Sequence, residues 1–425
     1  MTDYRQANRQ KVNSGDKINL IFAQEKRHNM KTTVSEFREY IAQVGEIDQI
    51  MIDVDRAEGI HVWDTSGKEY MDMLSGICVG NVGHRNPRVV DAVRKQTERY
   101  MHVMVYGEFV QSPQLEYFKR LKKYLPDSFA QIFYVNSGSE AIEGAIKAAR
   151  LFNRRSEIIS CRNSYHGSTL GAVSMLSEEK FTQPFRPLIP DCNHIRYNCF
   201  EDIEKITEKT CCVVMEAVAV GTGVELPEKN YLKQVRKRCY EKGAVLIFDE
   251  IQTGFGRTGK LFAFEHFDAV PDILCIAKGM GGGMPIGAFT GRKDIMLALN
   301  NGHPLIGHAT TFGGHPVCCS AALAVLEAIM EDDLMRDVDK KGEMYSTLLK
   351  HPLIKDVRGI GLFNCIELRE DVNWQNALKA CFSNGIITGT HLFNPQCLSL
   401  KPALIITPEQ IKESIDRIHT ALDSL

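Results

Sequence analysis

Several features that would assign this protein to a specialised class are missing from its sequence. The net charge is only −2 at pH 7, so no field of one sign points to nucleic acid or to an anionic membrane surface. The longest apolar runs fall far short of the roughly 18 residues that span a bilayer. The polar N-terminal stretch also lacks the apolar core of a secretory signal. We therefore expect a cytoplasmic protein that binds neither nucleic acid nor a membrane.

The sequence also lacks the residue spacings of metal sites and disulfide frameworks. None of its 13 cysteines forms a C-x-x-C motif, and no H-E-x-x-H motif occurs. Cys211-Cys212 and Cys318-Cys319 are adjacent pairs within apolar stretches. An odd number of cysteines in a long chain indicates reduced thiols in a core and not a disulfide framework or a zinc site. No metal is predicted.

Short apolar strands that alternate with helices are, by contrast, abundant. A chain of 425 residues exceeds the usual size of a single core, so a large domain with a smaller companion is expected. The apolar runs predict strands at 131–135, 157–160, 211–215, 244–249, 273–277 and 286–290, and helical patterns lie at 139–153 and 229–242. Such alternation is typical of an α/β fold, in which helices cover both faces of a mainly parallel sheet.

Further elements are predicted on either side of this region. A hairpin is expected between Glu58 and Met73, around a Thr65-Ser66-Gly67 turn, and helices follow at 87–101 and 112–124. Toward the C-terminus, the patterns predict helices at 316–330 and 331–350, strands around 357–368 and 386–400, and a last helix from 409.

Lys278 is the first candidate for a chemical role. It follows the apolar run Ile273-Leu274-Cys275-Ile276-Ala277 and precedes Gly279-Met280-Gly281-Gly282-Gly283. This arrangement puts one amine at the mouth of a sheet, where desolvation disfavours the ammonium and a neutral amine can form a Schiff base with a carbonyl. Taken alone the pattern is weak, because most lysines that follow strands are solvated surface residues.

Two more groups follow strands of the same predicted sheet. Asp249 ends a strand, where a carboxylate can hold a protonated pyridine nitrogen or simply cap the next turn. Ser137-Gly138-Ser139 precedes a helix whose free N–H groups favour an anion, although S-G-S-E also fits a plain capping box. Ligands of open α/β sheets collect at the carboxyl ends of the strands. Lys278, Asp249 and this turn together therefore suggest a site for pyridoxal phosphate.

A glycine-rich segment after Asp249 imitates two nucleotide-binding motifs. Gly254-Phe255-Gly256-Arg257-Thr258-Gly259-Lys260-Leu261 fits G-x-G-x-x-G and nearly fits a P-loop. The P-loop fails at Leu261, where a serine or threonine must reach magnesium. The dinucleotide motif requires glycines directly after the strand, whereas Glu250-Ile251-Gln252-Thr253 intervenes here. Nucleotide binding is accordingly disfavoured.

Three other motifs each have a functional and an ordinary interpretation. Tyr165 in Tyr165-His166-Gly167 can lie flat on a planar cofactor or belong to a polar loop. Thr310-Thr311-Phe312-Gly313-Gly314 offers hydroxyls and free amides for a phosphate, or merely a turn. Arg358 can clamp a carboxylate with two hydrogen bonds or lie on the surface of a strand.

The joint order of these motifs resembles that of one enzyme family. The segments that carry the resemblance are N-S-G-S-E-A, Y-H-G, D-E-I-Q-T-G-F-G-R-T-G, A-K-G-M-G-G-G-M-P-I-G and T-T-F-G-G-H-P. They are similar to those of the class III, ornithine/acetylornithine aminotransferase-like family of pyridoxal-phosphate-dependent enzymes. The similarity runs from about Glu58 to the C-terminus.

The resemblance implies a role for each matching residue. Lys278 would be the internal aldimine lysine and the proton shuttle, and Asp249 would pair with the pyridine nitrogen. Arg358 and Glu216 would lie at the substrate, the arginine binding a carboxylate. The other implied contacts to pyridoxal 5′-phosphate are Gln252 at the ring hydroxyl, Ile251 and Tyr165 on the two ring faces, Gly138 and Ser139 at the phosphate, and Thr311 donated by the neighbouring subunit.

The resemblance also implies the architecture. It predicts the type I aminotransferase fold, with a large mainly parallel sheet domain and a small α+β domain made from both chain ends. The expected division is 1–74 for the N-terminal segment of the small domain, with 1–29 as a possible loose tail, 75–325 for the large domain and 326–425 for the C-terminal part. A shared active site implies a homodimer.

Several positions depart from the family pattern. Many members have an arginine where this chain has Ser168. The typical E-P-x-Q-G-E stretch reads Glu216-Ala217-Val218-Ala219-Val220-Gly221. Gly221 thus replaces the second glutamate, which in ornithine aminotransferase pairs with the arginine matching Arg358, and we expect Arg358 to lack this carboxylate cover. Ile77 stands where that relative has an ornithine-recognising tyrosine.

The sequence thus predicts a pyridoxal-phosphate-dependent aminotransferase of amino-acid metabolism. It would move the amino group of an ω-amino acid, an ornithine- or acetylornithine-like compound or an amine to a 2-oxo acid. Three alternatives stay open at this point: another reaction on the same cofactor, such as that of an aminomutase or a decarboxylase; a nicotinamide-dependent oxidoreductase; and a non-catalytic homologue.

Overall fold

The computed structural model describes residues 34–42, 50–300 and 308–425. Within them, the helices α1 to α12 are Val34–Tyr40, Pro87–Arg99, Ser112–Leu121, Gly138–Asn153, Leu170–Val173, Glu179–Thr182, Tyr231–Lys242, Lys293–Leu297, Pro316–Glu331, Val338–Leu348, Trp374–Ser383 and Pro408–Asp423. Short 3-10 helices cover Lys122–Tyr124, Gln183–Phe185, Glu201–Lys205, Ala263–His266, Lys278–Met280 and Ala298–Asn300. The segment Ser75–Cys78 is a turn with positive φ throughout, described below.

The strands β1 to β15 are Val54–Glu58, His61–Asp64, Glu69–Asp72, Phe129–Val135, Glu157–Cys161, Cys192–Ile195, Thr210–Glu216, Val245–Asp249, Ile273–Ile276, Gly287–Arg292, Ile354–Ile360, Phe363–Leu368, Ile386–Ile387, Thr390–His391 and Asn394–Leu400. The predicted hairpin is present as β2 and β3, with the N–H of Asp64 donating to the carbonyl of Lys68 across the turn.

A seven-stranded sheet with the order β4-β10-β9-β8-β7-β5-β6 forms the centre of the fold. The neighbours from β9 to β6 run parallel, and β10 alone is antiparallel, to both β4 and β9. The prediction of a mainly parallel sheet is thus confirmed. The antiparallel direction of β10 was not foreseen, since an apolar run does not encode its direction.

Alternation along the central strands explains why this sheet is buried on both faces. Leu246 and Phe248 of β8 belong to one hydrophobic cluster, whereas Val245 and Ile247 belong to a second cluster with helix α4. Every residue of β7, β8 and β9 is buried. Strands buried on both faces read as continuous apolar runs, which is how the sequence presented them.

Smaller sheets lie outside the central one. β11, β12, β15 and β14 form an antiparallel sheet in that order, and β13 pairs in parallel with β3, Ile386 lying opposite Met71. The helix predicted at 331–350 begins only at Val338, after a series of turns. Strand β6 and helix α11 were not predicted.

The described chain divides into two compact units. Of the described residues, 57–62, 70–300 and 308–425 form the larger unit, and 34–42, 50–56 and 63–69 form the other. The finer division at residues 74/75 and 325/326 stays a prediction, and the expected loose tail at 1–29 lies outside the described residues. Within the described part of the chain, no helix is both long and apolar enough to cross a bilayer.

A candidate active site at the carboxyl edge of the central sheet

Residues at the ends of five strands of the central sheet line one cavity. The cavity holds about 370 Å³, within the range of roughly 300–1,000 Å³ that small-molecule sites occupy. Eight of the residues singled out from the sequence line it: Gly138, Ser139, Tyr165, Glu216, Asp249, Ile251, Gln252 and Lys278. They meet because each lies at or just beyond the carboxyl end of β4, β5, β7, β8 or β9.

Lys278 lies in the wall of this cavity, two residues beyond the end of β9. Its φ of +46° is unusual for a residue with a side chain. The following Gly279 has no room for a side chain, since a Cβ there would lie 2.7 Å from Nδ2 of Asn81. Burial lowers the pKa of Lys278, and the neighbouring Cys78, Asp249 and Glu216 offset only part of this effect. A lowered pKa increases the fraction of neutral, nucleophilic amine.

Asp249 forms a buried pair with His166. Nδ1 of His166 lies 2.8 Å from Oδ2 of Asp249, and the two side chains are 0% and 6% exposed. Oδ1 of Asp249 accepts a hydrogen bond from the N–H of Ile251 at 2.9 Å. Burial alone would lower the pKa of His166, but the hydrogen bond and charge of Asp249, with Glu216, raise it above the ordinary value. The pair therefore holds the Asp249 carboxyl group in place at the cavity wall.

Glu216 is the second buried carboxyl group of the cavity. It ends β7 directly opposite Asp249 in the parallel register, and the N–H of Val220 approaches its Oε2 at 3.4 Å. Burial raises the pKa of Glu216 to about 7; Asp249 adds to this rise, and His166 and Lys278 oppose it. Glu216 can thus be protonated or ionised near neutral pH.

The start of helix α4 provides an anion-binding surface. Oγ of Ser137 accepts a hydrogen bond from the N–H of Glu140 at 3.2 Å and caps the helix. The Glu140 carboxylate turns back to the N–H and side-chain amide of Asn136. The N–H groups of Gly138 and Ser139 belong to the first turn, where no intrahelical acceptor exists. They and the helix dipole favour a phosphate group there.

Two glycines allow the backbone to close around this surface. A Cβ at Gly138 would lie 2.8 Å from Cδ1 of Ile251, and one at Gly167 would lie 2.2 Å from Oγ of Ser139. Gly167 has φ +134°, which disfavours any other residue. The hydroxyl of the adjacent Tyr165 hydrogen bonds to Oγ of Ser168 at 2.6 Å.

The cavity fits pyridoxal phosphate on the chemistry of its own residues. It combines a desolvated amine at Lys278, a buried carboxylate at Asp249, and exposed N–H groups at the start of α4. These three groups suit the carbonyl, the ring nitrogen and the phosphate of that cofactor, respectively. Ile251 and Tyr165 supply an apolar and an aromatic surface in the same cavity.

The turn Ser75–Cys78 borders the Lys278–Met280 segment. All four of its residues have positive φ, between 46° and 64°, although only Gly76 is a glycine. Oδ1 of Asp72 accepts hydrogen bonds from the N–H groups of Leu74 and Ser75, which supports the turn. Left-handed conformations cost roughly 1–2 kcal/mol per residue, and such strain concentrates at functional sites.

Two sequence-predicted site residues lie outside the cavity. Thr311 is exposed, and its Oγ1 lies 3.3 Å from the Tyr106 hydroxyl. Arg358 donates to the backbone carbonyl of Val224, to Asp356 at 3.1 Å, and to Glu367. The expectation that Arg358 lacks carboxylate cover is wrong, because strand β12 supplies Glu367 to it.

Gly221 has a packing role that its sequence context did not reveal. A Cβ at this position would lie 1.7 Å from the carbonyl oxygen of Asn163 and 2.7 Å from the Phe393 ring. The Gly221 carbonyl also accepts a hydrogen bond from the N–H of Phe393. The backbone therefore leaves no space here for the glutamate that the family pattern carries.

The glycine-rich segment 254–259 does not have the setting of a dinucleotide motif. It forms successive turns, and no α-helix begins there. Arg257 in its middle is fully buried and donates to the carbonyls of Leu362 and Pro402, to Oγ of Ser75 and to Oδ1 of Asn81. Through Arg257, the segment is thus hydrogen-bonded to three distant parts of the chain.

His166 was not predicted as a site residue, although it lies within the predicted motif Tyr165-His166-Gly167. The available signal was its position in the loop after β5, at the same sheet edge as Asp249. Its contact with Asp249 joins residues 83 positions apart, which local patterns do not encode.

Comparison with known proteins identifies the family of the chain. Residues 42–422 match the family model described as aminotransferase class III. The acetylornithine aminotransferase of Methanocaldococcus jannaschii is 38% identical over 403 residues, 91% of this chain and 96% of that protein. That of Methanopyrus kandleri is 39% identical over 319 residues, 74% of this chain and 80% of that protein.

Structural comparison gives the same result. A crystal structure of ornithine aminotransferase from Toxoplasma gondii, described as having partial occupancy of pyridoxal phosphate, superposes with a TM-score of 0.85 at 29% identity. The match covers 95% of this chain and 97% of that one. The fold is the type I fold of pyridoxal-phosphate aminotransferases. The chain therefore belongs to the class III aminotransferases and is a pyridoxal-phosphate-dependent enzyme that transfers an amino group from a donor to an oxo acid.

Proposed function

We propose that the amino donor is an ω-amino acid of the ornithine or acetylornithine type and that the acceptor is a 2-oxo acid. The relatives that support this donor class are named acetylornithine aminotransferase and share 34–39% identity with the chain. The observation that carries the reaction type is the buried Lys278 amine, which lies in one cavity with the Asp249–His166 pair.

Lys278 has two tasks in this proposal. Its Nζ would hold the cofactor at the carbonyl carbon until the donor amine takes that position. The freed Nζ would then accept the proton from the amine-bearing carbon of the donor and would return it to the carbonyl carbon of the cofactor. Bound pyridoxal phosphate supplies an electron-withdrawing ring to this chemistry. Such positioned acid–base catalysis contributes about 10²–10⁴ in rate, and burial lowers the pKa of Lys278, which favours the neutral amine that this role needs.

Asp249 and His166 maintain the electronic state of the site. The Asp249 carboxylate pairs with the ring nitrogen and favours its protonated form, since an opposite charge at contact shifts a pKa by about 1–3. His166 positions Asp249 through the 2.8 Å hydrogen bond.

The remaining assignments concern how the cofactor is held. Gly138 and Ser139 bind the phosphate at the start of α4, and Gln252 reaches the ring hydroxyl. Ile251 and Tyr165 would pack against the two faces of the ring. All five residues line the same cavity, which supports these roles.

We also propose that the protein is a homodimer, in which Thr311 of each subunit contributes to the phosphate site of the other. Thr311 is exposed and lies beside exposed aromatic side chains: Phe312, which follows it in the chain, is 55% exposed, and Tyr106, whose hydroxyl lies 3.3 Å from its Oγ1, is 48% exposed. Clustered exposed apolar residues mark interaction surfaces. Analytical ultracentrifugation is expected to give a dimer, which Phe312→Arg weakens. A wild-type monomer with full activity would exclude the shared site.

We place the enzyme in the cytoplasm and in amino-acid metabolism. All 13 cysteines are free thiols, eleven of them buried, which suits a reducing compartment. Fractionation of the source cells tests this, and recovery in an extracellular fraction would contradict it.

The reaction is tested by recording the visible absorption of the holoenzyme while acetylornithine, ornithine, other ω-amino acids and simple amines are added singly. The proposed donors are expected to bleach the cofactor band, and a 2-oxo acid is expected to restore it. Bleaching by α-amino acids or simple amines alone would contradict the donor class. A band that no donor alters would contradict transamination by this site.

A further inference from the structure

The loop 310–314, which carries Thr311, is hydrogen-bonded to several distant parts of the chain. Nε2 of His102 donates to the carbonyl of Thr311 at 2.9 Å. Nε2 of Gln114, on helix α3, donates to the carbonyl of Gly314 at 2.8 Å. The middle and the end of the loop are thus held by side chains that precede the central sheet in the sequence.

A third hydrogen bond holds the start of the loop, and its donor belongs to the active-site cavity. Asn136 follows β4 and lines the cavity together with the turn at 137–139. Its Nδ2 donates to Oγ1 of Thr310 at 2.7 Å, across 174 positions of the sequence. This bond connects the anion-binding start of helix α4 directly to the residue before Thr311.

Glu140 determines the direction of the Asn136 amide. Its Oε2 accepts from the backbone N–H of Asn136 at 2.8 Å and from Nδ2 at 2.9 Å. An ionised carboxylate only accepts hydrogen bonds, so the amide nitrogen has to face it. The second hydrogen of Nδ2 is then the one that Thr310 accepts. Asn136 therefore bridges the first turn of α4 and the loop with both of its amide hydrogens.

The far end of the loop packs closely on β4 without the help of Asn136. A Cβ at Gly313 would lie 2.4 Å from the carbonyl oxygen of Tyr134, and Gly314 has φ +78°, a conformation that suits glycine. Because this packing is independent of the Thr310 hydroxyl, removal of that hydroxyl is expected to leave the fold intact and to change the position of the start of the loop.

We propose that Asn136 is a positioning residue for the cofactor phosphate, because it fixes the start of the loop 310–314 to the phosphate-binding turn at 137–139. The proposal rests on the proposed function, in which Thr311 contributes to the phosphate site of the other subunit. Asn136 acts through Thr310, and Glu140 in turn holds Asn136. Two segments that bind phosphate are thereby kept at a fixed distance from each other.

The test compares pyridoxal phosphate with pyridoxal, which has the same ring and carbonyl but no phosphate. Apoenzyme is titrated with each compound, and the absorbance of the bound form gives an affinity. Thr310→Val removes the acceptor of the Asn136 bond at nearly constant volume. It is expected to weaken binding of pyridoxal phosphate about 3- to 10-fold, the effect of one hydrogen bond. The affinity for pyridoxal is expected to stay within about 2-fold of the wild-type value, because pyridoxal has no phosphate to position.

Three variants serve as controls. Thr310→Ser keeps the hydroxyl and is expected to restore the wild-type affinity. Asn136→Ala and its combination with Thr310→Val are expected to bind pyridoxal phosphate equally well, since both changes break the same bond. Thr290→Val is the matched control, because buried Thr290 donates to the carbonyl of Gln131 at 2.8 Å, away from the cavity. It is expected to leave both affinities unchanged.

Equal losses for the two compounds in Thr310→Val would overturn the proposal and assign the bond a general structural role. An unchanged affinity for pyridoxal phosphate would also overturn it. If Thr310→Val does not fold, as judged by thermal unfolding, Thr310→Ala replaces it in the same comparison.

Thr311→Ala tests the proposed function separately. If this variant binds pyridoxal phosphate as tightly as the wild type does, Thr311 does not contribute to a phosphate site and the shared site of the proposed function fails. A loss in Thr310→Val that is confined to pyridoxal phosphate would still support the link between Asn136 and the phosphate, through the turn at 137–139.

Discussion

The hydrogen bond between His166 and Asp249 provides a quantitative prediction. Its atoms are 2.8 Å apart and both side chains are buried. Leucine at position 166 removes the donor at similar volume and leaves Oδ2 of Asp249 without it. A hydrogen bond to a charged group contributes about 1.5–3 kcal/mol, which corresponds to roughly a 10- to 150-fold change in an equilibrium constant. We therefore expect His166→Leu to weaken binding of pyridoxal phosphate about 10- to 100-fold.

The affinity is measured by titrating apoenzyme with pyridoxal phosphate and following absorbance. His166→Asn is the matched variant, because its amide nitrogen can take the place of Nδ1 and preserve the donor. We expect His166→Asn to retain most of the affinity that His166→Leu loses. Equal affinities of the wild type and His166→Leu would refute the role of His166, and equal losses in both variants would show that the ring, not the hydrogen bond, matters.

Three further predictions concern the structure around the site. Burial raises the pKa of Glu250 to about 7 from its ordinary 4.5. Between these pH values the folded state keeps a proton that the unfolded state releases, so the free energy of unfolding falls as the pH rises. In urea unfolding, Glu250→Gln is expected to lessen that fall by about 3 kcal/mol, and an unchanged pH dependence would contradict this prediction. Gly221→Ala places a Cβ 1.7 Å from the Asn163 carbonyl and should lower the free energy of unfolding by about 1–3 kcal/mol or more, which a stable variant would disprove. Ser137→Ala removes the cap of α4 and is expected to cost about 0.5–2 kcal/mol, with Ser137→Asp as the control that retains a cap.

Local patterns were enough to predict six of the seven strands of the central sheet and to bring Lys278, Asp249 and the turn at 137–139 to one of its edges. Asp249 and Lys278 each follow a continuous apolar run, and the carboxyl ends of parallel strands meet at one edge, so their proximity followed from the α/β pattern. Helix α4 was predicted because a turn with a capping serine precedes an apolar periodic segment. These signals lie within a few residues of the feature that they predict.

The features that sequence analysis missed depend on contacts between distant segments. His166 meets Asp249 only through the sheet order, and Glu367 reaches Arg358 through the pairing of β11 with β12. Strand β6 has a polar sequence, Cys192–Ile195, because it lies at the sheet edge with solvent on one side.

The central claim is that Lys278 holds the cofactor covalently. Borohydride reduction of the holoenzyme, followed by digestion and mass spectrometry of the peptides, tests it most directly. The account predicts that the reduced cofactor is attached to Lys278 in the wild type, and that Lys278→Ala folds but gives no such peptide and no transamination. Attachment to a different lysine, or an active Lys278→Ala variant, would contradict the account.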